Sequence, residues 1–322
     1  MMDRRSLLHA LSGLAIAPTI AAGQQAAARG AIGYLHPNTL AAATYTYMAP
    51  VWRAQGFVEG QSVHVRSAEG DLTRIPRLLD ELVTLGSGVL ILVGPQTLRI
   101  AFKHALAVPI VAVDLESDPV KEGYAQSVGR PGGNITGLFM DFPDLAAKWL
   151  QLLKECAPAI DRIAIVWDSA TGRGQVDAIT AAASQFGIGW TILQASTPAQ
   201  GGDALRQLQP PPSTGVVTLG TPALAVSDEP LTKALVDLRL PSIFHLKRYV
   251  AAGGLMSYGA KLESYFPRAV ELAAKILAGA RPGELPIERP ERFDFVINLK
   301  TAIALGLTVP PTLLVRADEV IE

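Results

Sequence analysis

The chain has 322 residues, of which 49% are hydrophobic and 18% charged, with a formal net charge of −1. That length suits one large domain or two of medium size, and that composition excludes a disordered chain. The balance of 28 basic and 29 acidic residues offers no basic surface for nucleic acid, and the single cysteine, Cys156, excludes an internal disulfide and a cysteine-built zinc site.

The first stretch, MMDRRSLLHALSGLAIAPTIAAGQQ, opens with Arg4 and Arg5, runs through apolar residues over 7–20 and closes on Ala21-Ala22-Gly23. A positive start, an apolar middle and a small-residue end are the pattern of an export signal, so residues 1–23 are expected to be removed. Arg4-Arg5 before Ser6-Leu7-Leu8 loosely resembles a twin-arginine signal. The apolar run is shorter than a membrane span and is broken by His9, Ser12 and Pro18. No cysteine follows it to carry a lipid. The mature chain is therefore expected to be soluble and periplasmic.

Short apolar runs and helical patterns then alternate. AIGYLH (31–36), SVHVRS (62–67), GVLILVG (88–94) and VPIVAVD (108–114) read as strands, and continuous Val/Ile/Leu runs bounded by Gly or Pro suit parallel strands covered on both faces. RIPRLLDELVTLG between them places Ile75, Leu78, Leu79, Leu82 and Val83 at helical spacing, with Pro76 in the first turn. The stretch RPGGNITG (130–137) interrupts the series. The alternation restarts with RIAIVWD (162–168), GWTILQ (189–194), GVVTLG (215–220) and PSIFHL (241–246), separated by helical segments. Two series of βαβ units predict two parallel sheets, each with helices on both faces. A further strand, GGLMSYG (253–259), a long amphipathic helix over 262–278, a proline-rich stretch and a final strand, FDFVINL, complete the chain. That remainder fits a return to the first lobe and a last crossing to the second.

Catalytic signatures are missing. No HExxH, GxSxG or GxxxxGK[ST] occurs, and no GxGxxG follows the first strand, where YLHPNTLA stands instead. Cys156 lies on the apolar side of a helix beside Leu152 and Leu153, the setting of an inert buried thiol. These absences lower the expectation of an enzyme, and no metal or cofactor is expected.

RPGGNITG, AGGLMSYG, GFVEGQSV, SDPV and the C-terminal INLKTAIALGLTVPPTLLVRADEVIE resemble the substrate-binding proteins of ABC transporters, in the branch with tryptophan- and tyrosine-binding members. The resemblance implies an α/β protein with the type I periplasmic binding protein fold: two Rossmann-like lobes with parallel sheets, joined by three crossovers, with ligand in the cleft. It implies lobe 1 over 30–130 and 254–290, lobe 2 over 138–252 and 291–322, and a first hinge at 131–137. It further implies capture of a small organic solute, an amino acid or related carboxylate, by a monomer that hands it to an inner-membrane permease and its ATPase. A periplasmic sensor of the same fold and a secreted α/β enzyme are the alternatives. Two departures touch the cleft. Relatives often carry a Ser-Gly-Thr-Pro-like turn where this chain has Val93-Gly94-Pro95-Gln96-Thr97, and many carry Asn-Pro where it has Asp168-Ser169.

Ligands of open α/β sheets sit beyond the carboxyl ends of strands, and that rule selects the candidates. After the first strand come His36, Asn38 and Thr39, as contacts or as helix caps. Gly94, Gln96 and Thr97 follow the third, where N–H groups at a helix start suit a carboxylate and a plain Thr97 cap is the equal alternative. Asp114 and Glu116 follow the fourth, as partners of an ammonium group or as loop charges, with Asp114 the better placed. From the second lobe come Asp168, Ser169, Thr221 and His245. Tyr258, on the returning strand, either stacks on a ring or packs a lobe.

Overall fold

A computed structural model describes residues 30–39, 42–114, 117–139, 145–221, 224 and 229–322, with the backbone alone for 42–46 and 265. The expected export signal lies outside the described residues. β1 (Ala31–His36), β2 (Val63–Ser67), β3 (Ser87–Val93), β4 (Ile110–Asp114) and β5 (Ile135–Phe139) form one sheet in the order β2-β1-β3-β4-β5, every pairing parallel. Successive residues of its apolar runs serve opposite faces, as a strand's period of two requires. Val89 and Ile91 of β3 join Ile32, Tyr34 and Trp52 on one side, while Leu90 and Leu92 join Leu35, Leu79 and Leu98 on the other. Trp52 comes from helix α1 (Ala42–Ala54), and Leu79 and Leu98 from α2 (Ile75–Thr84) and α3 (Pro95–Lys103). With both faces covered, neither has to alternate with polar residues, and this is why the runs look uniformly apolar.

The second sheet has seven strands: β6 (Arg162–Trp167), β7 (Gly189–Gln194), β8 (Thr214–Thr218), β9 (Ser242–Phe244), β10 (Met256–Ala260), β11 (Phe293–Asn298) and β12 (Glu319–Ile321). Their order is β12-β11-β10-β9-β8-β6-β7, with β10 and β11 antiparallel and the other pairings parallel. Helices α4 (Ala146–Cys156) and α5 (Gly174–Gln185) cover one face, and α6 (Pro198–Leu208), α7 (Glu229–Asp237) and α8 (Lys247–Ala251) the other. α9 (Leu262–Leu277) returns to the first lobe, where Phe266, Val270 and Ala273 pack with Ile32 and Val89. α10 (Leu299–Ala304) and α11 (Pro311–Arg316) lead to β12, a strand that the sequence patterning does not announce. Two sheets covered by helices and crossed three times are the expected α/β architecture.

The lobe boundaries fall elsewhere than expected. RPGGNITG is not a hinge, because it feeds directly into β5, the edge strand of the first sheet. Gly137 has φ +139°, and a Cβ there would stand 2.1 Å from the Ala112 carbonyl oxygen. Gly132 donates its N–H to the Gly283 carbonyl at 3.0 Å, and the Asn134 amide donates to the carbonyls of Leu106 and Val108 at 2.7 and 3.2 Å. The glycines thus permit close backbone packing inside the first lobe. The first crossing lies between Phe139 and Ala146. The strand 256–260 also belongs to the second lobe and not the first, since it is hydrogen-bonded to β9 and β11. The second crossing therefore comes at Lys261, whose N–H donates to the Arg292 carbonyl of the third at 3.0 Å. An apolar strand carries no mark of which sheet it will join, so residue pattern alone misplaces both.

Candidate functional site

The carboxyl ends of β1 and β3 in the first lobe face those of β6 and β7 in the second across a cavity of about 230 Å³. Asn38, Leu72 and Gln96 line it from the first lobe, and Asp168, Ala170 and Ser196 from the second. A neighbouring cavity of about 330 Å³ has Ser117 and Glu122 on one side and Thr171 and Asp177 on the other.

The first-lobe wall is the start of α3. Gly94 bends the chain there with φ +83° and donates its own N–H to the Val113 carbonyl at 2.9 Å, so that group is not available to a ligand. Pro95 has no N–H. The helix therefore presents the N–H groups of Gln96 and Thr97, which have no intrahelical acceptor, at the positive end of its dipole. Gln96 and Thr97 are buried, and neither Gln96 Oε1 nor Thr97 Oγ1 has a hydrogen-bond partner among the described residues. The same holds for Asn38 Nδ2. Buried amide and hydroxyl atoms left without partners are costly unless something else meets them.

Beneath Asn38, His36 is a brace. Its Nδ1 lies 2.9 and 3.2 Å from the carbonyl oxygen and amide nitrogen of Asn38, and burial holds the imidazole below its usual range. Thr39 is exposed. Asp114 is fully buried at the end of β4, accepts the Ser117 N–H at 3.0 Å, and is not on the wall of the 230 Å³ cavity. Glu116 lies outside the described residues.

Asp168 organises the second-lobe wall. Its Oδ1 accepts from the Ala170 N–H at 3.1 Å and the Ser196 hydroxyl at 3.2 Å, and its Oδ2 from the Thr221 hydroxyl at 3.1 Å. One buried carboxylate thereby ties together the loops after β6, β7 and β8, and Thr221 serves as its donor. Ser169 is turned to Gln194, whose Nε2 donates to its hydroxyl at 2.5 Å. His245 and Tyr258 are not on this cavity. His245 lies at a smaller one of about 80 Å³ near the crossings, beside the Lys247–Glu263 ion pair of 2.7 Å. Tyr258 stacks on Phe293 with centroids 5.6 Å apart, and its carbonyl accepts from Trp149 Nε1 at 2.7 Å, so it packs the second lobe. Leu72, Ala170 and Ser196 escaped the sequence reading. Ser196 was within reach of the strand-end rule, since it stands two residues past β7.

Burial depresses the His245 imidazole to about 3, helped by the charge of Arg248 and opposed by a backbone hydrogen bond at Thr218. The folded chain then refuses a proton that the unfolded chain accepts below about 6.5, so stability is lost as pH falls through the window from about 6.5 to 3. Urea melts at pH about 7.5 and about 5.5 should show a lower midpoint at the acid value, and His245→Gln should narrow the gap. Equal gaps in both proteins would contradict this. Cys156 is buried, and burial followed by the nearby Glu155 pushes its thiol up to about 11, which keeps it protonated and unreactive.

Known proteins decide what this two-lobed cleft belongs to. The model of the family described as ABC transporter substrate binding protein matches residues 49–321. The chain belongs to that family. Among its relatives, the tyrosine-binding protein of Clostridioides difficile strain R20291 is 23% identical over 258 residues, 79% of this chain and 73% of that protein. The crystal structure of an ABC domain in complex with L-Trp from Streptococcus pneumonia superposes with a TM-score of 0.81 at 20% identity, covering 90% of this chain and 99% of that one. A conserved domain protein from Vibrio cholerae gives 0.80 at 23% identity, covering 90% and 98%. These likenesses show the type I periplasmic binding protein fold. The family, the tyrosine-binding protein and the L-Trp complex are binding proteins rather than enzymes. No helix among the described residues is long and apolar enough to cross a membrane.

Proposed function

We propose that this ABC transporter substrate binding protein captures an α-amino acid between its lobes and delivers it to an inner-membrane permease. The observation that carries the reading is one interlobe cavity with a helix start and orphan amide atoms on one wall and a buried carboxylate on the other. A zwitterion needs donors for its carboxylate and an acceptor for its ammonium, because either charge buried unpaired is very costly. The N–H groups of Gln96 and Thr97 serve the carboxylate. The ammonium goes to Asp168 rather than Asp114, because Asp168 lines the cavity that Gln96 lines. A volume of about 230 Å³ equals that of about eight waters, the scale of one small solute. The tyrosine and tryptophan named for two relatives support an aromatic side chain, and the Arg4-Arg5 leader supports export to the periplasm.

A thermal-shift screen of the purified mature chain against the twenty L-amino acids tests this. An amino acid at 100 times its dissociation constant should add about 2.7 kcal/mol of stability, a shift of several degrees. A flat response to all twenty would refute the ligand class.

A further inference from the structure

Arg99 lies on α3 three residues after Gln96, and so on the same side of the helix. Its Nη1 donates to the Ala170 carbonyl of the second lobe at 3.1 Å, and its Nε stands 3.9 Å from Glu122 Oε2 of its own lobe. Ala170 is held from both sides, since its N–H is the one that Asp168 Oδ1 accepts. The two partners of Arg99 line different interlobe cavities, Ala170 the smaller and Glu122 the larger. We propose that Arg99 is a positioning residue for ligand retention, a cross-lobe latch that holds the Asp168 turn against the ligand and closes the flank of its cavity.

The proposal rests on the reading that the ligand occupies the smaller cavity. Its physical basis is a charge-assisted hydrogen bond made only when the lobes meet. Such a contact breaks as the cleft opens, so it chiefly slows escape, and without ligand it holds only a share of the molecules closed. Glu122 keeps the guanidinium on the first lobe and aimed across the cleft. With its side chain only 31% exposed, Arg99 is shielded enough for the bond to matter.

Stopped-flow binding of L-tryptophan and L-tyrosine tests it with wild type, Arg99→Met, Arg99→Lys and Glu122→Gln. In Arg99→Met the dissociation rate should rise roughly ten-fold with the association rate nearly unchanged. Arg99→Lys, which keeps a charged donor, should recover part of the loss, and Glu122→Gln should fall between. Ligand-free melting temperatures should stay level, separating a latch from a general loss of fold. Equal dissociation rates in wild type and Arg99→Met would overturn the latch while leaving amino-acid capture intact. Should wild type bind neither probe, amino-acid capture is what fails, and small-angle scattering of the ligand-free proteins decides on the latch. Arg99→Met should then have the larger radius of gyration, and coincident profiles would overturn the proposal.

Discussion

Asp168→Asn should weaken amino-acid binding by roughly thirty-fold or more, because an ammonium left without its counter-charge in a closed site loses on the order of 2–5 kcal/mol. The variant keeps the shape and one oxygen. It also perturbs a brace, since Asp168 accepts from Ala170, Ser196 and Thr221. Thr221→Val separates the two roles. It removes one donor to the carboxylate and leaves the charge, so it should lower stability by about 1 kcal/mol and affinity much less. Calorimetric titration and thermal melting of both variants supply the comparison. Affinity retained in Asp168→Asn would make the residue a brace alone.

Gly137→Ala should be the most damaging small change in the first lobe. The added methyl would sit 2.1 Å from the Ala112 carbonyl oxygen, and φ +139° is a conformation that residues with a Cβ rarely adopt. The backbone strain costs about 1–3 kcal/mol and the overpacking about as much again. The melting temperature should fall by several degrees or more, or the chain should fail to accumulate. Gly133→Ala, four residues earlier in the same stretch, is the control. A Cβ there meets nothing within 4 Å, and its φ is outside the positive region, so its effect should stay within about 0.5 kcal/mol. Equal melting temperatures for the two variants would contradict the packing role given to this stretch.

These two glycines show where the sequence was legible and where it was not. The presence of three glycines in RPGGNITG correctly excluded a helix interior, but a hinge and a tightly packed strand entry need glycine for different reasons that composition cannot separate. What distinguishes them is the carbonyl of Ala112, 25 residues away in sequence and adjacent in space. The same limit misplaced 256–260. Its apolar character guaranteed a strand, while its partners β9 and β11 are properties of the assembled sheet. Two parallel sheets were readable because buried strands of seven or fewer residues between helices leave few other ways to cover both faces.

The strand-end rule reached Asn38, Gln96 and Asp168, which line the interlobe cavity, because topology alone brings those strand ends to the cleft. It could not rank them. Asp114 and Asp168 both end parallel strands, and only the relative placement of the lobes puts the second on the cavity wall. His36 and Thr221 were selected by the same rule, yet their polar atoms hold the Asn38 turn and the Asp168 carboxylate. Tyr258 stands off that cavity wall for another reason. It lies within a strand rather than at its end, where a ring packs a core face.

Isothermal titration of the protein with L-tryptophan and L-tyrosine, beside counterparts lacking the carboxylate or lacking the ammonium, tests zwitterion capture most directly. One site per chain is expected for at least one of the amino acids, with both truncated counterparts at least roughly thirty-fold weaker. Truncated counterparts that bind as tightly as the amino acid would contradict the assignment of Gln96, Thr97 and Asp168 to its two charges.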